Sequence, residues 1–283
     1  MIYDVGIYRD MDAKTYQADP CERPSLNQSI IPYLLRSPLH GAYQHPRLNP
    51  YGPALQSSLT QYFGEAVHRI ALGRGRDISP IRYRDYRDSS AREARDLAIA
   101  NNRIPVLEAE LVRARDVARI LVAAIERACE GHPYETEVVL IWKERTMYGE
   151  IWCRAQLDVL CRPLGLILDP KVLRINANAE NFGRAASDSG YDVQGVFYPR
   201  GLSQVLPDVG AVRFANLVVE NYPPYGVRTL YPATNTQYAA ERQIARAMEL
   251  WAKCLRERSW PGYPKEPEPY ETPNYYQQRI SNT

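Results

Sequence analysis

The stretch from Glu135 to Leu173 reads ETEVVLIWKERTMYGEIWCRAQLDVLCRPLGLILDPKVL. β-Branched and aromatic runs follow one another, broken only by the charged, glycine-bearing "KERTMYG" and by "CRPLG", which predicts a hairpin and then a third strand, the last more continuously apolar and so more buried. A sheet must therefore sit at the centre of the fold. Its third strand holds Asp169 and Lys171 inside an apolar run, a costly placement unless each charge has a partner.

Helices are expected on both sides of this block. "ALQSSLTQYFGEAVHRIAL" and "VLEAELVRARDVARILVAAIERAC" repeat apolar residues at helical spacing, and a shorter helix is expected from about Ser25 to Arg36, stopped by "SPLHG". After the third strand come a helix in "GYDVQGVFYPRGLSQVL", strands in "AVRFANLVVE" and around "VRTLYP", and a closing helix from about Thr236 to Arg258. "GRGRDISPIRYRDYRDSS" reads as a solvated arginine-rich loop, with a phosphate-contacting arm as the other reading. The expected class is α/β (α+β): a mixed central sheet flanked by helices. One domain covers 1–260, helical over 1–131 and sheet-centred over 132–260, and 261–283 form a Pro-rich tail.

Lys and Arg (35) nearly balance Asp and Glu (33), so total charge does not announce a nucleic-acid protein. The five cysteines include no Cys-x-x-Cys pair, which speaks against a zinc site and for reduced, structural thiols. The early charges of "MIYDVGIYRDMDAK" argue against a signal peptide and no run has the length of a membrane span, so a soluble cytoplasmic protein is expected.

Strand alternation sets Arg154, Gln156 and Asp158 on one face, and Asp169 and Lys171 on one face of the next strand. If the strands pair across "CRPLG", the two carboxylates approach each other, and a hard divalent cation with its preference for oxygen relieves their repulsion. Lys171 beside it can orient or deprotonate a water and offset charge growing on a phosphate. Glu137 is a third acid that could complete the site or hold a second ion, with Glu135 as its rival. A salt-bridged pair at a strand end is the plain alternative.

These residues resemble the PD-(D/E)XK nuclease superfamily, in its phage and prophage RecE-like (exonuclease VIII-like) exonuclease branch and, more distantly, lambda exonuclease. "CRAQLDVL", "LDPK" and "YDVQGVFY" match its acid, its (D/E)-x-K and its Gln-x-x-x-Tyr helix in order. "LNQSIIPYLLRSPLH", "FGEAVH", "EVVLIW" and "WPGY" extend the likeness over about Leu26 to Tyr263.

The resemblance implies a restriction-endonuclease-like core with an N-terminal helical elaboration. Asp158 and Asp169 would bind Mg²⁺, which Mn²⁺ can replace, with the Pro170 carbonyl as a further ligand, Glu137 as an added acid and His68 near the metal. Lys171 would position the attacking water, and Gln194 and Tyr198 would hold Lys171 and the scissile phosphate. Double-stranded DNA ends, a homo-oligomeric ring and a single-strand annealing partner are implied as well. Arg154, Arg36, Ser29, Ser37, Arg82 and Arg84 are candidate DNA contacts, with Arg23 and Arg87. Pro170 cannot donate to a ladder, so its strand should be an edge or kinked there. An endonuclease on the same core and a non-catalytic DNA-end binder are the competing readings.

Overall fold

The computed structural model describes residues 1–49, 51–52 and 59–272. The chain opens with β1 (Gly6–Tyr8), α1 (Ala13–Gln17), α2 (Ile31–Arg36) and α3 (Pro38–Gln44). Then come α4 (Leu59–Leu72), β2 (Ile78–Ile81), α5 (Ser89–Ala100), β3 (Ile104–Leu107) and α6 (Glu108–Ala128). The second half runs β4 (Glu135–Thr146), β5 (Gly149–Cys161), β6 (Leu166–Leu173), α7 (Ala179–Ser189), α8 (Tyr191–Val205), β7 (Arg213–Glu220), β8 (Val227–Leu230) and α9 (Thr234–Glu257).

Among the described residues the main sheet has six strands in the order β1-β4-β5-β6-β7-β8. Only β6 and β7 run parallel, with α7 and α8 as their crossover, and the other neighbours are antiparallel. The sheet is thus mixed and helix-flanked, as the element order predicts. β4 and β5 meet at a tight turn, Thr146 pairing with Gly149, so the charged "KERTMYG" lies mostly within the strands.

Two apolar layers cover the sheet. Leu26, Ile31 and Leu34 pack with α8 and α9 against Val138, Leu140, Trp142, Ala155 and Leu157. Val67 of α4 and Val117 and Leu121 of α6 pack on Val159, Cys161, Leu166, Leu168, Ala215 and Leu217. The helices form where apolar residues recur every three or four positions, which buries one stripe against the sheet. All five cysteines are buried and none forms a disulfide.

Several elements depart from expectation. The arginine-rich segment is only partly loop: β2 pairs in parallel with β3, and α5 is capped by the Asp88 carboxylate accepting from Ser90 N–H. Strand β3 takes Ile104–Leu107, so α6 begins at Glu108. These strands have four residues each, and the proline in each (Pro80, Pro105) masks the β signal. The N-terminal 54–58 of the expected "ALQSSLTQYFGEAVHRIAL" helix and 273–283 of the tail lie outside the described residues. The described start of the tail packs on α3, Leu39 N–H donating to Pro261 and His40 facing the Tyr263 ring. No described helix is long and apolar enough to cross a membrane.

Candidate active site

β5 and β6 pair only from Val159↔Leu168 to Cys161↔Leu166, whereas β6 stays paired with β7 along its whole length. Beyond Leu168, then, β6 has one neighbour, and a fork opens between it and β5. The ladder phase fixes what faces the fork. Arg213 N–H donates to the Gly165 carbonyl and Asn221 N–H to the Leu173 carbonyl. In a parallel pair alternate residues bond to the same neighbour, so odd-numbered residues of β6 turn their backbone groups to β7. Pro170 turns its own toward β5, which has left. The expected local edge is present, and a missing N–H costs nothing there.

The β5 side of the fork is irregular. The register pairs Thr136 with Val159 and Val138 with Leu157 and skips Glu137 and Asp158 between them. Glu137 sits at φ 54°, a left-handed conformation that disfavours a side chain. Leu157 and Leu160 belong to one core layer and Val159 and Cys161 to the other, so strict alternation breaks at Asp158. The alternation that groups Arg154, Gln156 and Asp158 is therefore interrupted beside its last member.

The site is built across this fork. Asp169, 2% exposed, accepts a 2.5 Å hydrogen bond from Gln194 Nε2 on α8, and its other oxygen forms an ion pair with Lys171. Lys171 Nζ lies 4.4 Å from the Tyr191 ring centroid. From the opposite layer, α4 brings His68 Nδ1 to 3.9 Å from Asp158 Oδ2. The Asp158 and His68 side chains keep 20% and 27% of their exposure, so the fork opens to solvent on their side. Gln156 Nε2 donates to Glu137 at 2.6 Å, whereas Glu135 is engaged by Arg9. Of the two rival acids, Glu137 is the one facing Asp158.

Burial dominates the electrostatics. It pushes Asp158 up to about 6 against the pull of Lys171. Asp169 rises to about 6 for the same reason, with Lys171 opposing and Asp158 adding to it. Glu137 reaches about 7 through burial and then Asp158. Burial and the Lys171 charge lower His68 to about 4, with Asp169 and the Pro170 carbonyl acting the other way. Lys171 is raised, because Asp169 and Asp158 outweigh the burial that works against its ammonium. At neutral pH His68 is uncharged and Lys171 a firm cation.

Do these residues fit a metal ion? Among the described residues no three His, Cys, Asp or Glu side chains converge into a cage. Mg²⁺ needs none, since it keeps waters and takes one or two carboxylates plus phosphate oxygens. Asp158, Asp169 and the fork-facing Pro170 carbonyl are hard oxygen donors, and the Asp169 carboxylate has only Gln194 and Lys171 against it. The donor set fits a hard divalent ion.

Other expected positions are corrected. Gln194 binds Asp169 and not Lys171. Tyr198 packs edge-on to Phe214 at 6.3 Å, while Lys171 is held by Asp169 and Tyr191. Arg154 is 1% exposed, 3.2 Å from Asp19 and bonded to Ser25, so it is an internal brace and no phosphate contact. Ser37 is buried, capping α3 and meeting His40 Nδ1 at 2.6 Å. Ser29 donates to Asn27 at 3.0 Å. Arg36, Arg82, Arg84, Arg87 and Arg23 are exposed, and none shares a hydrogen bond or ion pair with the site. Tyr191 is the site residue that the sequence reading missed; an aromatic three places before Gln194 was its only signal.

No protein-family model matches the chain. No curated protein matches it either. Solved structures do. The crystal structure of a Eubacterium rectale protein named "Putative exonuclease" aligns with a TM-score of 0.58 at 13% identity, covering 89% of this chain and 88% of that one. A second structure, SSO0001, reaches a TM-score of only 0.29 at 12% identity, over 70% of this chain and 88% of its own, too low to support any argument. The first likeness is one of fold, and extends over nearly the whole length of both chains.

Proposed function

We propose that the chain is a Mg²⁺-dependent deoxyribonuclease of the PD-(D/E)XK superfamily, in its RecE-like branch, acting as an exonuclease on linear duplex DNA from the 5′ end. The observation that carries this reading is the buried Asp169, held by Gln194 and Lys171 at a strand fork with Asp158 and His68 on its other side. A purely structural ion pair explains Asp169 and Lys171 but not a second carboxylate, Asp158, held beside them with its pKa raised by burial. The fold shared with the Eubacterium rectale protein supports the same class.

A bound divalent cation would supply electrophilic activation of the phosphate and of a water. The chain's own residues do the rest. Asp158, Asp169 and the Pro170 carbonyl would hold the ion, and Gln194 fixes the Asp169 carboxylate. Lys171, kept cationic by the two carboxylates, donates to the attacking water and to the phosphate oxygens, which gives it the role of orienter and charge partner and excludes that of base. His68, kept neutral, can hold a water at the open side. A homo-oligomeric ring, a single-strand annealing partner and a cytoplasmic setting belong to the same proposal.

Digestion of linear and covalently closed duplex tests it, in Mg²⁺ against EDTA, with wild type beside Asp169→Ala and Lys171→Ala. Linear DNA should disappear and circles persist, in Mg²⁺ and with wild type only. Nicking of both forms would identify an endonuclease instead, and survival of linear duplex across metals and salts would remove the nuclease assignment.

A further inference from the structure

Asn216 of β7 stands in register with Asp169 of β6. Register-matched residues of a parallel pair present their side chains to one face, with the strands about 4.8 Å apart. The Asn216 amide therefore lies beside the Asp169 carboxylate, and both residues are 2% exposed. Asn216 Oδ1 receives no hydrogen bond, and Asp169 Oδ2 meets the Lys171 ammonium alone. Bulk water does not relieve them. Gly195 lets α8 press onto β7: a Cβ there would stand 3.2 Å from Phe214 Cδ1 and 2.7 Å from Pro232 Cγ.

A buried acceptor oxygen without a donor, beside a carboxylate that can still take further ligands, calls for a water between them. The strand "RFANLVVE" is otherwise apolar at its centre, and asparagine is depleted in such runs. Apolar packing therefore does not account for this residue, whereas the need for an oxygen beside Asp169 does.

We propose that Asn216 is a positioning residue of the cation site: its side-chain oxygen accepts a hydrogen bond from a water in the hydration shell of the divalent ion that Asp169 holds. The inference rests on the metal-dependent reading above. Magnesium-like ions retain several waters whose protons need acceptors. Loss of an outer acceptor commonly weakens metal binding tenfold to a hundredfold, roughly.

Mn²⁺ is the probe, its free signal followed by electron paramagnetic resonance, beside thermal unfolding in EDTA. Asn216→Leu should unfold in EDTA at or above the wild-type temperature, because an unsatisfied buried oxygen is gone, and should bind Mn²⁺ about tenfold more weakly. Asn216→Asp, which keeps the acceptor, should bind at least as tightly as wild type. If leucine does not fold there, Asn216→Ala carries the same comparison. Mn²⁺ affinity within twofold of wild type in the leucine or alanine variant overturns the role of Asn216 while leaving the cation site standing. Absence of Mn²⁺ binding by wild type overturns both.

Discussion

Gln194 reaches from the first turn of α8 to donate a 2.5 Å hydrogen bond to Asp169 in the middle of β6, and both side chains are buried. The bond fixes the rotation of a carboxylate whose other oxygen meets the Lys171 ammonium. Gln194→Leu should therefore keep the fold, by circular dichroism, while DNA hydrolysis falls by about tenfold to a hundredfold, the usual range for a group that orients a metal ligand. Turnover on linear duplex checks it, and an unchanged rate would show that the bond is only structural.

Asp169 and Lys171 should show strong coupling in stability. Removing one member of a buried pair leaves the other charge unpaired and costs about 3 kcal/mol or more, whereas replacing both is far milder. Lys171→Met should lower the denaturation midpoint in EDTA more than the double variant with Asp169→Asn does. Additive losses in urea titrations would mean the charges do not depend on each other.

The raised carboxyls predict a pH dependence of definite sign. A folded pKa near 6 for Asp158, above the unfolded value of about 4, means that the native state prefers the protonated acid. Its contribution to stability is whole below about pH 4 and is lost as pH rises through about 6. In EDTA, Asp158→Asn should thus gain stability relative to wild type between pH 4 and pH 7, by calorimetry. Stabilisation of wild type by Mg²⁺ should run the other way and grow over that range, because the ion binds the deprotonated acids. A difference flat with pH would contradict the burial of Asp158.

Arg154 should behave as an internal brace. Arg154→Leu leaves the buried Asp19 short of one of its cationic neighbours and should cost about 3 kcal/mol. DNA affinity plotted against salt should keep its slope. A slope smaller by about one would mean that Arg154 neutralises a phosphate after all.

The part of the fold that follows from periodicity was legible: the β4–β5 hairpin, the buried β6, α6, α8 and α9 all carry long apolar patterns. What escaped was short, interrupted or, in α5 and α7 with twelve and eleven residues, poor in large apolar side chains. β1 has three residues, and α1 and α3 have five and seven, too few for a repeat to declare itself. The acid pair and Lys171 were legible as a cluster. The fate of Arg154 was not, because sharing a strand face with Asp158 says nothing of Asp19, which reaches it from a distant loop. Nor was the unpaired Glu137–Asp158 step, since a rung missing from an otherwise unbroken register depends on the partner strand and leaves no mark on either one alone.

Pro170 gives the fork a permanence that ordinary strands lack. A residue with an amide hydrogen at this position would offer β5 a rung, and two strands already joined for three residue pairs could zip one step further. The pyrrolidine ring removes the donor half of that rung, so zipping gains less here than at any other residue, and the carbonyl left pointing into the notch can face a visitor.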